Sequence, residues 1–187
     1  MEIKNLFLAA ILFTGVSYAN SSIALNINDD DLEVSTSIGI NTLTDYSNGT
    51  GYLVDINYIH SDGNNLTEIG FSGQNTLQGH QGLSLAFGLK AVVADQFLAF
   101  PLTAKGIYKL PLASTIPATS LMVNYTYAPS VLTFRDGDNF SEFRVELDME
   151  IISNIHVFTG YRNIDTDYQD HEKVFNNSFY GGLKIRF

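Results

Sequence analysis

The carboxy-terminal stretch Phe175 to Phe187, FNNSFYGGLKIRF, alternates in polarity and stops on an aromatic residue. Phe175, Phe179, Leu183, Ile185 and Phe187 share one parity; Asn176, Ser178, Tyr180, Lys184 and Arg186 share the other. Successive side chains of a strand point to opposite faces, so the segment has one apolar and one polar face. An exposed soluble surface gains little from such an apolar row at the chain end. A strand with lipid on one side and a polar lumen on the other has this pattern.

The same period of two recurs through the chain, with little helical periodicity. It gives ten candidate strands: Ile23–Ile27, Leu32–Ile40, Tyr52–Tyr58, Thr67–Phe71, Leu83–Leu89, Leu98–Tyr108, Leu121–Tyr127, Phe143–Ile151, Ile155–Tyr161 and Phe175–Phe187. Turn residues separate them, notably Asp29–Asp31, Ser61-Asp62-Gly63-Asn64, Pro111–Pro117, Ser153-Asn154 and the polar loops Arg135–Asn139 and Asp165–Lys173. Pro101 lies inside a strand and has no N–H to give the ladder, so a bulge or local edge is expected there. The expected fold class is all-β, a transmembrane antiparallel up-and-down β-barrel of about ten strands. Eight strands is the alternative, because the segment before Asp29 and the Pro101 strand carry the softest pattern. An even count places both termini at one end, expected to be periplasmic.

Residues 1–19 read as a secretory signal peptide. Lys4 precedes the short apolar run Leu6–Val16, and Ser17-Tyr18-Ala19 supplies the small residues of a cleavage site. Residues 20–187 then form the barrel domain. The 187-residue chain has a net charge of −10 and no cysteine. The acidic balance argues against nucleic-acid binding, and the missing cysteines exclude disulfides, thiol catalysis and Cys-ligated zinc.

Alternation alone does not say which face is outside, since a soluble lipocalin-like barrel reverses the order. Three features favour the membrane. The polar face is rich in small residues that suit a narrow lumen. Tyr52, Tyr58, Tyr108, Tyr127, Tyr161, Phe175 and Phe187 share the apolar parity near strand ends, where interfacial girdles belong, although tryptophan is absent. Finally, Glu142, Glu146, Asp148 and Glu150 share one face of a strand with Arg144. That row would repel itself on a free surface. In a lumen it can pair with Lys90, Lys105, Arg162, Lys184 and Arg186 from other strands. Such charges read either as a salt-bridged plug or as the lining of a selective path for small polar solutes.

Four segments resemble one family of bacterial outer-membrane proteins, the YfaZ family, in the same order along nearly the whole mature chain. They are Asn57-Tyr58-Ile59-His60-Ser61-Asp62, Tyr125–Pro129 (YTYAP), Gly160-Tyr161-Arg162 and Tyr180-Gly181-Gly182-Leu183. The resemblance implies a small barrel of the Gram-negative outer membrane and brings no catalytic residue with it. Tyr180, Gly181, Leu183, Ile185 and Phe187 also resemble the general insertion signal of outer-membrane barrels. The expected partners are therefore outer-membrane lipids, lipopolysaccharide and the barrel-assembly machinery, with no nucleic acid.

His60-Ser61-Asp62 contains the residue types of a hydrolytic triad, but neighbours on a strand face opposite ways and form no relay together. A distant assembly with His156 or His171 is the enzymatic alternative, a membrane-embedded lipid hydrolase or acyltransferase. Asp29-Asp30-Asp31 and Asp136-Gly137-Asp138 offer oxygen ligands but match no full calcium loop. No catalytic, cofactor or metal residue is assigned. The expectation is a small outer-membrane barrel with a charged, mostly filled lumen and a structural, surface-interaction or narrow-conductance role. A soluble periplasmic ligand-binding barrel is the third reading.

Overall fold

The computed structural model describes residues 21–40, 49–113, 115–168 and 173–187; the signal-peptide segment lies outside these residues. Twelve strands follow one another: β1 Ser22–Ile27, β2 Asp31–Gly39, β3 Gly51–Ser61, β4 Asn64–Thr76, β5 Leu83–Ala94, β6 Phe97–Ala99, β7 Leu102–Lys109, β8 Thr119–Ala128, β9 Thr133–Arg135, β10 Gly137–Ile152, β11 Ile155–Tyr168 and β12 Val174–Arg186. Ten of them form a closed antiparallel barrel. The order runs β4-β3-β2-β1-β12-β11-β10-β8-β7-β5, and β5 returns to β4. The first and last strands meet with Ser22 opposite Arg186, and Ser21 and Phe187 exchange backbone hydrogen bonds of 3.2 and 2.9 Å. Every long strand therefore has two neighbours, and among the described residues only the three-residue β9 keeps a free edge.

The ten barrel strands are the ten read from the alternation, so eight is excluded. Pro101 has the local effect expected of it. It separates β6 from β7, and its carbonyl still accepts from the Lys90 N–H at 2.9 Å. Freed from β8, β6 pairs with β5 on one side and the short β9 on the other. The stretch read as the loop Arg135–Asn139 is thus mostly ladder. Arg135 takes a positive φ of 63°, and at Gly137 a Cβ would lie 2.8 Å from the Phe97 ring. Asp62 and Gly63, at φ 47° and 75°, make the two-residue turn expected between β3 and β4.

The faces sort as a membrane barrel requires. Phe87, Leu102 and Phe179 are 65%, 64% and 78% exposed on the outside, while Glu33, Glu142 and Arg162 point inward and are buried. A soluble barrel would have placed these groups the other way round. Outer aromatics pair across strands, as in Tyr161–Phe179 with ring centroids 5.3 Å apart. Phe175 departs from the girdle expected of it. A register irregularity between Ile164 and Asp165 accompanies burial of both Phe175 and Asn176. Phe175 thereby joins an inner apolar cluster with Ile59, Leu66, Val92, Phe97, Phe140 and Ile164.

That cluster closes one end of the barrel. Ile59 and Leu66 face each other just before the β3–β4 turn, and Phe97 lies 6.1 Å from Phe140 and 5.5 Å from Tyr168, centroid to centroid. At the far end, where Ser21 and Phe187 lie, the described residues form no such layer. There the lumen opens as a cavity of about 870 Å³, bordered by Thr50, Gly82, Lys109 and Arg186. The barrel is a cup with an apolar base.

Candidate functional site

The charged interior is built from the inward parity of several strands, most densely on the neighbouring β10 and β11. On β10 the inward positions are Phe140, Glu142, Arg144, Glu146 and Asp148; on β11 they include His156, Phe158, Gly160 and Arg162. Directly above the apolar base, the fully buried Arg162 reaches Asp31 at 3.3 Å and also binds Glu33. Its Nε donates to Asn176 Oδ1 at 2.8 Å. Arg144 pairs with Glu33 and Glu142, each at 2.9 Å, so Glu33 on β2 bridges two arginines from β10 and β11. Lys90 on β5 holds Glu142 at 2.8 Å and Glu68 on β4 at 3.0 Å. The Arg162 pairs with Asp31 and Glu33, Arg144–Glu33 and Lys90–Glu142 span the barrel and tie together strands that share no backbone ladder.

Tyr180 separates this layer from a second one nearer the mouth. Its hydroxyl donates to Glu146 Oε2 at 3.2 Å, and the Arg144 and Arg162 guanidinium carbons lie 5.5 and 5.4 Å from its ring centroid. The ring has room because β11 carries Gly160 opposite it, and Phe158 likewise faces Gly182 on β12. A Cβ on Gly160 would sit 2.8 Å from the Tyr180 ring, and one on Gly182 2.6 Å from Phe158. The two glycines are placed where two inward aromatics cross the neighbouring strand.

In the outer layer, Lys184 binds Glu146 at 2.8 Å and Asp148 at 2.7 Å. His156 Nδ1 meets Asp148 Oδ1 at 2.7 Å, and Arg186 approaches Asp148 at 3.6 Å. Eight of the ten charged residues read from the sequence therefore lie in ion pairs. Lys105 lines the cavity without one among the described residues. Glu150 accepts only from the Asn154 backbone N–H, at 3.2 Å.

Sequence reasoning left Asp31, Glu33 and Glu68 out of the charge network and read His156 only as an enzymatic candidate. The signal for Glu33 and Glu68 was present, because each alternates with the outward residues of its strand, Leu32 and Val34 or Thr67 and Ile69. Asp31 was read as part of an acidic turn. It begins β2 instead and accepts from Asn28, Asn176 and Ser178 at 2.6, 2.8 and 2.8 Å. The Asp-rich turn is thus organised by hydrogen bonds around an arginine partner.

The enzymatic candidates scatter. His60 is exposed on the outer face, 2.8 Å from Asn65 Oδ1, whereas Ser61 is buried inside; His171 lies outside the described residues. His156 and Asp148 do touch, and Ser120 is Asp148's partner on β8. A hydrolytic relay needs the imidazole between hydroxyl and carboxylate. Here the carboxylate stands between the other two. Among the described residues no group of three or more His, Cys, Asp or Glu side chains is arranged to hold a metal ion.

No family model matches the sequence, and no curated protein matches it. Among solved structures the chain is similar to the KdgM porin at 11% identity, covering 90% of this chain and 99% of that one, with a TM-score of 0.45. Similarity to the NanC porin is 9% over 91% and 100% of the two chains, TM-score 0.43. A bacterial polysaccharide outer membrane secretin matches at 10% over 89% and 69%, TM-score 0.47. Likeness at this level carries no argument about activity, and the reading that follows rests on the chain's own residues.

Proposed function

We propose that this chain is a small outer-membrane β-barrel whose lumen is closed by its own side chains. Its role is structural or surface-facing, and it does not form an open pore. One observation carries this reading: the ion pairs of Arg162, Arg144 and Lys90 cross the lumen directly above an apolar layer. A conducting path would have to break both. At the level of these pairs the lumen is crossed by side chains, and buried ions that are mutually paired resist removal of either partner. The exposed apolar outer face supports a lipid surrounding, with the aromatic strand ends meeting lipid headgroups and lipopolysaccharide. On the same proposal, β12 addresses the chain to the barrel-assembly machinery through Phe187, and the chain is a member of the YfaZ family.

Planar-bilayer recording of the purified protein tests the closed lumen. Silence is expected from the wild type, and current is expected once the base is opened by Phe97→Ala with Arg162→Ala. Steady unitary currents from the wild type would overturn the reading in favour of narrow conductance.

A further inference from the structure

We propose that the β3–β4 wall of the lumen binds one small monovalent cation at Glu68 and Asn57. The ligand is either an alkali-metal ion or the ammonium head of a primary amine. The inference needs the barrel but not the closed base.

The first argument is charge. In the inner layer four carboxylates (Asp31, Glu33, Glu68, Glu142) face three cations (Lys90, Arg144, Arg162). Glu33 and Glu142 each touch two cations. Among the described residues Glu68 has one ion-pair contact, Lys90, which it shares with Glu142. The uncompensated negative charge therefore belongs to Glu68, whose side chain is 4% exposed. A buried carboxylate without full compensation is costly.

The second argument is geometric and independent of the count. Glu68 uses Oε2 for both Lys90 and Asn57 Nδ2, at 3.0 and 3.5 Å. Glu68 Oε1 and Asn57 Oδ1 are buried with no hydrogen-bond partner among the described residues. Asn57 and Glu68 are register partners, so both oxygens arise from one cross-strand pair. Two register pairs nearer the mouth, on the same inward face, stands Asp55, opposite Gly70, and it has no ion pair among the described residues. All three side chains line the 870 Å³ cavity. Acceptors with no donor, beside excess negative charge, select a cation or a charged donor. A divalent ion would need more oxygen ligands than this wall supplies, and the Lys90 ammonium opposes it.

The full-length barrel in detergent micelles provides the test. Its apparent unfolding temperature is read from heat-dependent gel mobility at constant ionic strength. Tetramethylammonium chloride is exchanged for sodium, potassium or methylammonium chloride. A saturable rise of several degrees is expected in wild type and absent in Glu68→Gln. Response to the metal salts alone assigns an alkali ion, and response to methylammonium alone assigns an amine. Should Glu68→Gln not fold, Asn57→Asp decides, with half-saturation expected at roughly tenfold lower salt (about 1.4 kcal/mol). Equal unfolding temperatures in all four salts would overturn the proposal. So would an undiminished rise in Glu68→Gln, or an Asn57→Asp half-saturation equal to wild type. A wild type that responds to acidification but to none of the salts would give the place to a proton on Glu68. Channel recordings report on the apolar base and leave this result independent.

Discussion

Arg162 is the residue on which most of the interior converges. It touches Asp31, Glu33, Asn176 and the face of Tyr180, and it is fully buried. Removing one partner of a buried ion pair strands the other charge, at a cost of about 3–5 kcal/mol. Arg162→Met is therefore expected to lower stability by about that amount in urea titrations of the micelle-embedded protein. Arg162→Lys keeps the charge but loses the planar fork that serves two carboxylates at once; it should fall between wild type and Arg162→Met. Gly160 makes a second residue-scale prediction of a different physical kind. A Cβ there would lie 2.4 Å from the Val145 carbonyl oxygen as well as against Tyr180. Gly160→Ala should reduce the folded fraction on unheated gels, and Tyr180→Ala should not rescue it, because the backbone contact persists.

Among the elements, the short pair β6 and β9 does more than its length suggests. Pro101 ends β6 after three residues, and β9 folds back to continue that ladder. The result brings Phe97 against Phe140 and Tyr168 over the lumen end. Phe97→Ala should cost about 3–5 kcal/mol by leaving a cavity among closely packed neighbours, measured in the same urea titration. The alternation in this region was legible, and so was the interruption at Pro101. The pairing of β6 with β9 was not, because a three-residue strand between turns carries no periodic signal. Phe175 shows the same limit at β12. Its parity says outward, yet the register irregularity facing β11 turns it inward. A bulge shifts parity by one residue and leaves no mark in a sequence read by twos.

At the scale of the whole molecule, the decisive property is the inversion of polarity between wall and lumen. Leu89 stands near the middle of β5 and is 55% exposed on the outer face. Placing a cation there in a bilayer should cost about 2–4 kcal/mol; Leu89→Arg is expected to show that loss in lipid vesicles. A barrel living in water would tolerate the change, so an unaltered stability would favour the soluble alternative. The antiparallel up-and-down barrel and its count of about ten strands, with eight as the alternative, were legible in the sequence. These follow from local alternation and turn chemistry, which a single chain displays residue by residue. It also marked most of the inward charges, since inward parity and charge are both local. Only the tertiary structure decided which charges meet. Glu33 lies 111 positions from Arg144 and 129 from Arg162 in the chain, and barrel closure alone brings them into contact. It likewise decided that one end is sealed by Ile59, Leu66, Phe97, Phe140 and Phe175, while the described residues leave a cavity at the other. The sealing residues come from seven separate strands once Val92 and Ile164 are counted, and their meeting depends on register, bulge and closure together.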